Sequence, residues 1–258
     1  MKILISNDDG INAAGLWSLA THVAEVAPVA VVVPDREQSA TGTAITLRQP
    51  LRVRKAGSPL NGMECFAVEG MPGDAVILAL ENLISDPVNL VISGINNGPN
   101  MGDDVLISGT VGAALQGYLR NIPALALSSA GIDSANLEVP AKLAAVIAAD
   151  IIAGRLPKDI FLNVNVPDLP LAKIKGIKLT VLAHKTNIDS VKEGHDGRRE
   201  FYWLVRRQLE HFEAAAGTDI KAIEQDCISV TELHTNLFRR PHTTDLDDLC
   251  QDWFRRLK

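Results

Sequence analysis

The chain has 258 residues, 47% of them hydrophobic, and a formal net charge of −6 at pH 7. That length suits one large domain, or one domain with an appended subdomain, and the hydrophobic share suits a packed core. The acidic balance argues against a nucleic-acid polymer as partner, and an anionic substrate would need a cation to bridge it.

Residues 2–6, Lys-Ile-Leu-Ile-Ser, predict a buried strand. Residues 12–27 predict a helix, with Leu16, Leu19, Ala20, Val23 and Ala27 at helical spacing. The run at 30–33, Ala-Val-Val-Val, is a second strand stopped by Pro34. Apolar runs this continuous fit strands covered on both faces, as in a parallel sheet. Strand–helix–strand is then a βαβ unit. The pattern continues with a strand at 63–68, a helix from Pro72 to Ser85, a strand at 89–93 and a helix at 110–121. A strand at 123–128, an Ala-rich helix at 139–154 and a strand at 160–166 follow.

After residue 170 the texture changes. Residues 177–182 and 201–205 predict the arms of a long hairpin or extension around a polar 184–200. Residues 226–231 predict a short strand, and 243–257 a terminal amphipathic helix with Leu246, Leu249, Cys250 and Trp253 on one face. The three cysteines, Cys65, Cys227 and Cys250, show no C-x-x-C spacing, which fits reduced thiols and a cytoplasmic protein. No apolar run reaches the ~18 residues of a membrane span. The N-terminus enters a strand without a signal-peptide pattern.

In a doubly wound sheet, ligands bind beyond the carboxyl ends of the strands. Three polar, Gly-bearing loops converge there: Asn7-Asp8-Asp9-Gly10, Asp35 to Gly42, and Gly94 to Asn100. Asp8 and Asp9 are adjacent anions at the end of a buried strand, where repulsion and desolvation both raise carboxylate pKa values. A divalent cation removes both penalties, since hard cations take oxygen ligands. The plainer alternative is an Asp N-cap for the next helix, for which one Asp would suffice. Ser108-Gly109-Thr110 precedes an apolar helix and is either a simple cap or a helix N-terminus whose free N–H groups hold an anion such as phosphate. Asp103 and Asp104 read as a solvated loop, and none of the histidines has metal-ligand spacing. There is no G-x-S-x-G elbow, no G-x-x-x-x-G-K-[ST] loop and no well-placed G-x-G-x-x-G.

Four separated segments together carry a family resemblance: Ser6 to Gly10, Pro34 to Gly42, Ser93 to Asn100 and Ser108 to Gly112. It continues through Asn163 to Pro167, Phe201 to Trp203, Gly217 to Asp219 and Ile228 to Thr231. In these the chain resembles the survival protein E (SurE) family of metal-dependent nucleoside monophosphate phosphatases. The resemblance implies an α/β fold: a Rossmann-like three-layer core with a mostly parallel sheet over 1–170. Residues 171–258 would be a hairpin and helix extension used in oligomerisation, packed on the core and on a partner subunit. It implies one divalent ion, Mg²⁺ or Mn²⁺, held by Asp8, Asp9, Ser39 and Asn96, with Asp8 and Asp9 catalytic, and phosphate contacts from Asn100, Ser108, Gly109 and Thr110. Hydrolysis of nucleoside 5′- or 3′-monophosphates by a homodimer or homotetramer is the expectation. The chain departs from the family at Thr43 and Ile107, where many members carry His or, at the latter, an aromatic residue. Those departures keep open a nucleotide-binding homologue that retains the metal site without turnover.

Overall fold

The structure, a computed structural model, describes residues 1–131, 134, 136–184, 187–208 and 213–236, together with 250, 253, 255 and 256. In chain order the elements are β1 (Lys2–Ser6), α1 (Ala14–Ala24), β2 (Val29–Pro34), β3 (Val53–Lys55), β4 (Glu64–Val68), α2 (Pro72–Leu78), β5 (Val88–Asn97) and α3 (Gly109–Tyr118). Then follow β6 (Ala124–Ser129), α4 (Glu138–Ile152), β7 (Phe161–Val166), β8 (Gly176–Thr180), β9 (Asn187–His195), β10 (Glu200–Gln208), α5 (Asp219–Glu224) and β11 (Cys227–Glu232).

Nine strands form one sheet in the order β3-β4-β2-β1-β5-β6-β7-β11-β8. From β4 to β7 all neighbours are parallel, while β3 and β11 pair antiparallel to β4 and β7. The period of two in a strand divides the core. Ile3 and Ile5 of β1 face Leu16, Leu19 and Val23 of α1 and Ala144 of α4. Leu4, between them, faces Ala75 and Val76 of α2 and Ala113 of α3. Helices thus cover both faces, the expected three-layer α/β arrangement. Burial of each of the Ile, Leu and Val side chains contributes roughly 1.5–3 kcal/mol.

Most predicted elements lie within a few residues of the observed ones. The helix from Pro72 becomes α2 followed by a π turn at Ala79–Leu83. The strand at 89–93 runs on to Asn97, as Asn96 and Asn97 pair with Ser128 and Ser129 of β6 past an irregularity at Gly94, which takes φ +143° and passes Leu127 so closely that an added Cβ would sit 2.3 Å from its carbonyl oxygen. Only glycine fits there.

The hairpin differs from its prediction. Residues 177–182 are not an arm of it: Gly176–Thr180 joins the main sheet as the parallel edge neighbour of β11. The true partner of β10 is β9, with Trp203 opposite Lys192 and Tyr202 opposite Glu193. β9 reads Asn-Ile-Asp-Ser-Val-Lys-Glu-Gly-His, too polar for an apolar-run criterion to find. Its turn is set by Asp196, whose Oδ1 accepts from the N–H groups of Arg198 and Arg199 at 2.8 and 2.7 Å. The terminal helix expected at 243–257 lies outside the described residues, except that Cys250, Trp253, Arg255 and Arg256 are helical. Among the described residues no helix is long and apolar enough to cross a membrane.

Candidate active site at the carboxyl edge of the sheet

β1 ends in Ser6, and the chain turns through Asn7, which closes the turn on itself. Its Nδ2 donates to the Gly10 carbonyl at 3.0 Å and its Oδ1 accepts from Gly10 N–H at 3.2 Å. This holds Asp8 and Asp9 at the strand end. Asp8 is only 4% exposed, and the Gln38 N–H donates to its backbone carbonyl at 2.7 Å, which docks the Asp35–Gly42 loop beside it. Thr110 donates its hydroxyl to Asp8 Oδ1. Asn97 donates its backbone N–H to Asp9 Oδ2 at 3.2 Å, which brings in the end of β5.

Gly109 opens α3 directly against Asp8. A Cβ added there would lie 2.8 Å from Asp8 Cβ and 2.9 Å from Asp8 Oδ2. Ser108 caps the helix, its Oγ accepting from Val111 N–H at 3.1 Å, so the hydroxyl keeps its proton to donate. The Gly109 N–H, in the first turn, has no partner within the helix. The turn expected to bind an anion therefore stands on the acidic pair, although 102 residues separate Thr110 from Asp8.

The other expected site residues lie around this point. Ser39 is exposed and donates to Glu37 Oε1 at 2.7 Å. Asn96 donates its amide to the Gly98 carbonyl at 2.7 Å, leaving Oδ1 as the atom suited to a cation. Asn100 is buried, with Nδ2 donating to Ser128 Oγ at 2.9 Å and its carbonyl accepting from Asn163 and Asn165 at 2.8 and 3.0 Å. Thr43 and Ile107 are neighbours, since Gly42 N–H donates to the Ile107 carbonyl at 2.8 Å.

Glu37, Thr41 and Asn97, which the sequence does not single out, also stand beside the site. Thr41 Oγ1 lies 3.1 Å from where a Gly109 Cβ would be. Glu37 also lines, with Asp9, Asn12, Asn97 and Ser134, a cleft of about 400 Å³ that opens beside the carboxylates. In the sequence Glu37, Thr41 and Asn97 lie in polar loops at the correct sheet edge, within segments that carry the family resemblance, and no single residue among them stands out.

Burial pushes the Asp8 carboxyl up to about 6, with the Asp9 charge adding to the rise and the Thr110 hydrogen bond opposing it. Burial likewise raises Asp9, and Glu37 adds to that, against the Asn97 N–H. Among the described residues no three of His, Cys, Asp or Glu gather as metal ligands, so a metal here would rest on two carboxylates and neutral oxygens.

A raised carboxylate pKa stabilises the fold below the unfolded value and loses that contribution as pH rises through the folded value. Metal-free protein is therefore expected to lose on the order of 3 kcal/mol of stability from Asp8 between about pH 4 and about 6. A divalent cation would cancel that loss. Melting temperatures in chelator and in Mg²⁺ or Mn²⁺ should differ more at pH 7.5 than at pH 5; an equal gap at both would contradict the charge argument.

The survival protein SurE family model matches residues 3–189. A Dehalococcoides mccartyi protein named 5′-nucleotidase SurE is 55% identical over 243 residues, covering 93% of this chain and 91% of that protein. A protein of the same name from Heliobacterium modesticaldum is 43% identical over 92% of this chain and 87% of its own length. The crystal structure of the SurE protein from Aquifex aeolicus superposes with a TM-score of 0.81 at 33% identity, covering 96% of this chain and 99% of that one. The chain belongs to the survival protein SurE family.

Proposed function

We propose that this chain is a nucleotidase, a metal-dependent phosphatase that hydrolyses nucleoside 5′- or 3′-monophosphates to nucleoside and phosphate. The observation that carries the reading is the direct contact of Asp8 with the Gly109–Thr110 helix start, which sets two carboxylates beside anion-binding donors. The relatives named 5′-nucleotidase SurE support the same reaction class.

Asp8, Asp9, Ser39 and Asn96 would hold one divalent ion. An all-oxygen donor set suits Mg²⁺ or Mn²⁺, and the raised pKa of buried Asp8 marks a group that a cation would stabilise. When bound, the ion supplies charge neutralisation at the phosphoryl group.

The chain's own residues do the rest. The Ser108 hydroxyl and Gly109 N–H donate to phosphoryl oxygens at a helix N-terminus, where the helix dipole also favours an anion. Thr110 holds Asp8 in place. With Asp8 Oδ1 so engaged, Asp9 is the more accessible of the pair to accept a proton from the attacking water. Asn100 Nδ2 gives one of its two N–H donors to Ser128, which leaves the second for phosphate. Thr43 and Ile107 carry no imidazole, so neither supplies the leaving-group proton.

Phosphate release from a panel of nucleoside 5′- and 3′-monophosphates, with Mg²⁺ or Mn²⁺ and with chelator, tests this. Metal-dependent release from at least one nucleotide is expected. Nucleotide binding without release in either metal would replace the phosphatase with the non-catalytic homologue.

The extension from 171 onward would build a homodimer or a dimer of dimers. Trp203 is 64% and Leu204 83% exposed on β10, and a cavity of about 1050 Å³ lined by Val105, Leu115, Phe161, Leu182 and Leu233 lies open beside α3. Apolar surface on this scale favours a partner. Light scattering should give a dimer or tetramer, lost or weakened on removal of residues 240–258; a monomer for the intact chain would rule this out. A cytoplasmic enzyme fits this reading, since the cysteines show no disulfide-type spacing.

A further inference from the structure

Gly217-Thr218-Asp219 lies far from the carboxylates in sequence, and nothing in the reaction described so far uses it. Asp219 is fully buried at the start of α5. Thr218 already caps that helix, its Oγ1 accepting from Lys221 N–H at 3.4 Å. The Asp219 carboxylate instead reaches two distant segments. Its Oδ2 accepts from Gly102 N–H at 2.7 Å, across 117 residues, and its Oδ1 accepts from Ala183 N–H at 3.0 Å as well as from its neighbour Ile220 at 2.8 Å. A buried carboxylate is costly unless its oxygens are hydrogen-bonded, and here backbone donors from three places satisfy it.

Gly102 begins a 3₁₀ turn through Leu106 that delivers the chain to Ser108. Just before it, Asn100 N–H donates to Asn165 Oδ1 at 2.8 Å. Just after it, the Ile107 carbonyl accepts from Gly42. Asp219 is thus the charged member of a set of clamps on the loop that carries the phosphate turn. Ala183, its other distant donor, follows β8 and precedes the β9–β10 hairpin.

We propose that Asp219 is a positioning residue for the phosphate turn. By fixing Gly102 it holds Ser108–Gly109–Thr110 in register with Asp8, and by fixing Ala183 it couples that turn to the base of the hairpin extension. The catalytic part of this rests on the phosphatase reading above; the mechanical part does not.

Asp219→Asn keeps the volume but turns an NH₂ group toward one of the N–H donors. A buried donor left unpaired at that cost should raise KM for a nucleoside monophosphate and Ki for inorganic phosphate about tenfold. Divalent-cation affinity should stay within about twofold, since Asp8 and Asp9 are untouched. Amide exchange over 102–111 should quicken about tenfold, with α1 unchanged.

Thr218→Ala is the control. It removes the cap of the same helix and keeps the carboxylate, so it should lower the melting temperature without moving Ki or exchange at 102–111. Unchanged Ki and exchange in Asp219→Asn, or the same changes in Thr218→Ala, would overturn the proposal. If Asp219→Asn does not fold, the Gly102 amide of the wild type decides: slow exchange supports the clamp, and exchange at the rate of an exposed loop overturns it. Wild-type protein that neither hydrolyses nucleotides nor binds phosphate would instead refute the phosphatase reading, while the exchange comparison still decides the clamp.

Discussion

Asp9→Asn is expected to leave the fold intact and to lower metal-dependent phosphate release roughly 100-fold or more. The substitution removes a charged ligand with little change of volume, and charge stabilisation by a metal in such a site is worth several kcal/mol of the barrier. Asp9 is the partly exposed member of the pair, held by a single backbone N–H from Asn97 at 3.2 Å. Relief of a like charge beside Asp8 should slightly stabilise the metal-free protein. Loss of activity and gain of metal-free stability would thus move together. Unchanged phosphate release and unchanged metal affinity, measured by kinetics and calorimetric titration, would remove Asp9 from the site.

Gly109→Ala should be nearly as damaging, for a steric reason. The new Cβ would lie 2.8 Å from Asp8 Cβ and 2.9 Å from Asp8 Oδ2, with Thr41 Oγ1 at 3.1 Å on the other side. Alanine is the better helix former by about 1 kcal/mol, but overpacking a filled site costs typically 1–3 kcal/mol, so the clash wins. Either Asp8 or the start of α3 must shift. A displacement of about 1 Å between catalytic groups costs about 100-fold in rate. The expected result is a folded variant with kcat down about 100-fold; wild-type kcat would show that the turn and the carboxylate do not act together.

The parallel core was legible because its strands are continuous apolar runs with plain stops. Ala30-Val31-Val32-Val33 ends at Pro34, and 123–128 and 160–166 read the same way. What escaped was structure that buries little. β3 is exposed throughout. β9 is mostly polar, and β8 has Ile177 and Leu179 exposed, so its membership of the main sheet depends on pairing with β11 rather than on burial. α5 is only six residues long, too short for helical periodicity to register.

The site divides on similar lines. Asp8 and Asp9 stood out because paired anions at the end of a buried strand need a reason, and Ser108 because a small cap opens an apolar helix. Ser39 and Asn96 came from the family resemblance, since one hydroxyl and one amide in polar loops carry no signal of their own. Glu37, Thr41 and Asn97 act through neighbours that only folding supplies. Asp219 works across 117 residues through backbone N–H groups, and the identity of Gly102 leaves no trace of that bond in the sequence.

The most direct test of the account is a crystal of this protein soaked in Mn²⁺ and measured at a wavelength where manganese scatters anomalously. One strong anomalous peak is expected within about 2.0–2.5 Å of carboxylate oxygens of Asp8 and Asp9, with Ser39 and Asn96 oxygens facing it. A peak elsewhere, or none in protein whose phosphate release depends on Mn²⁺, would contradict it.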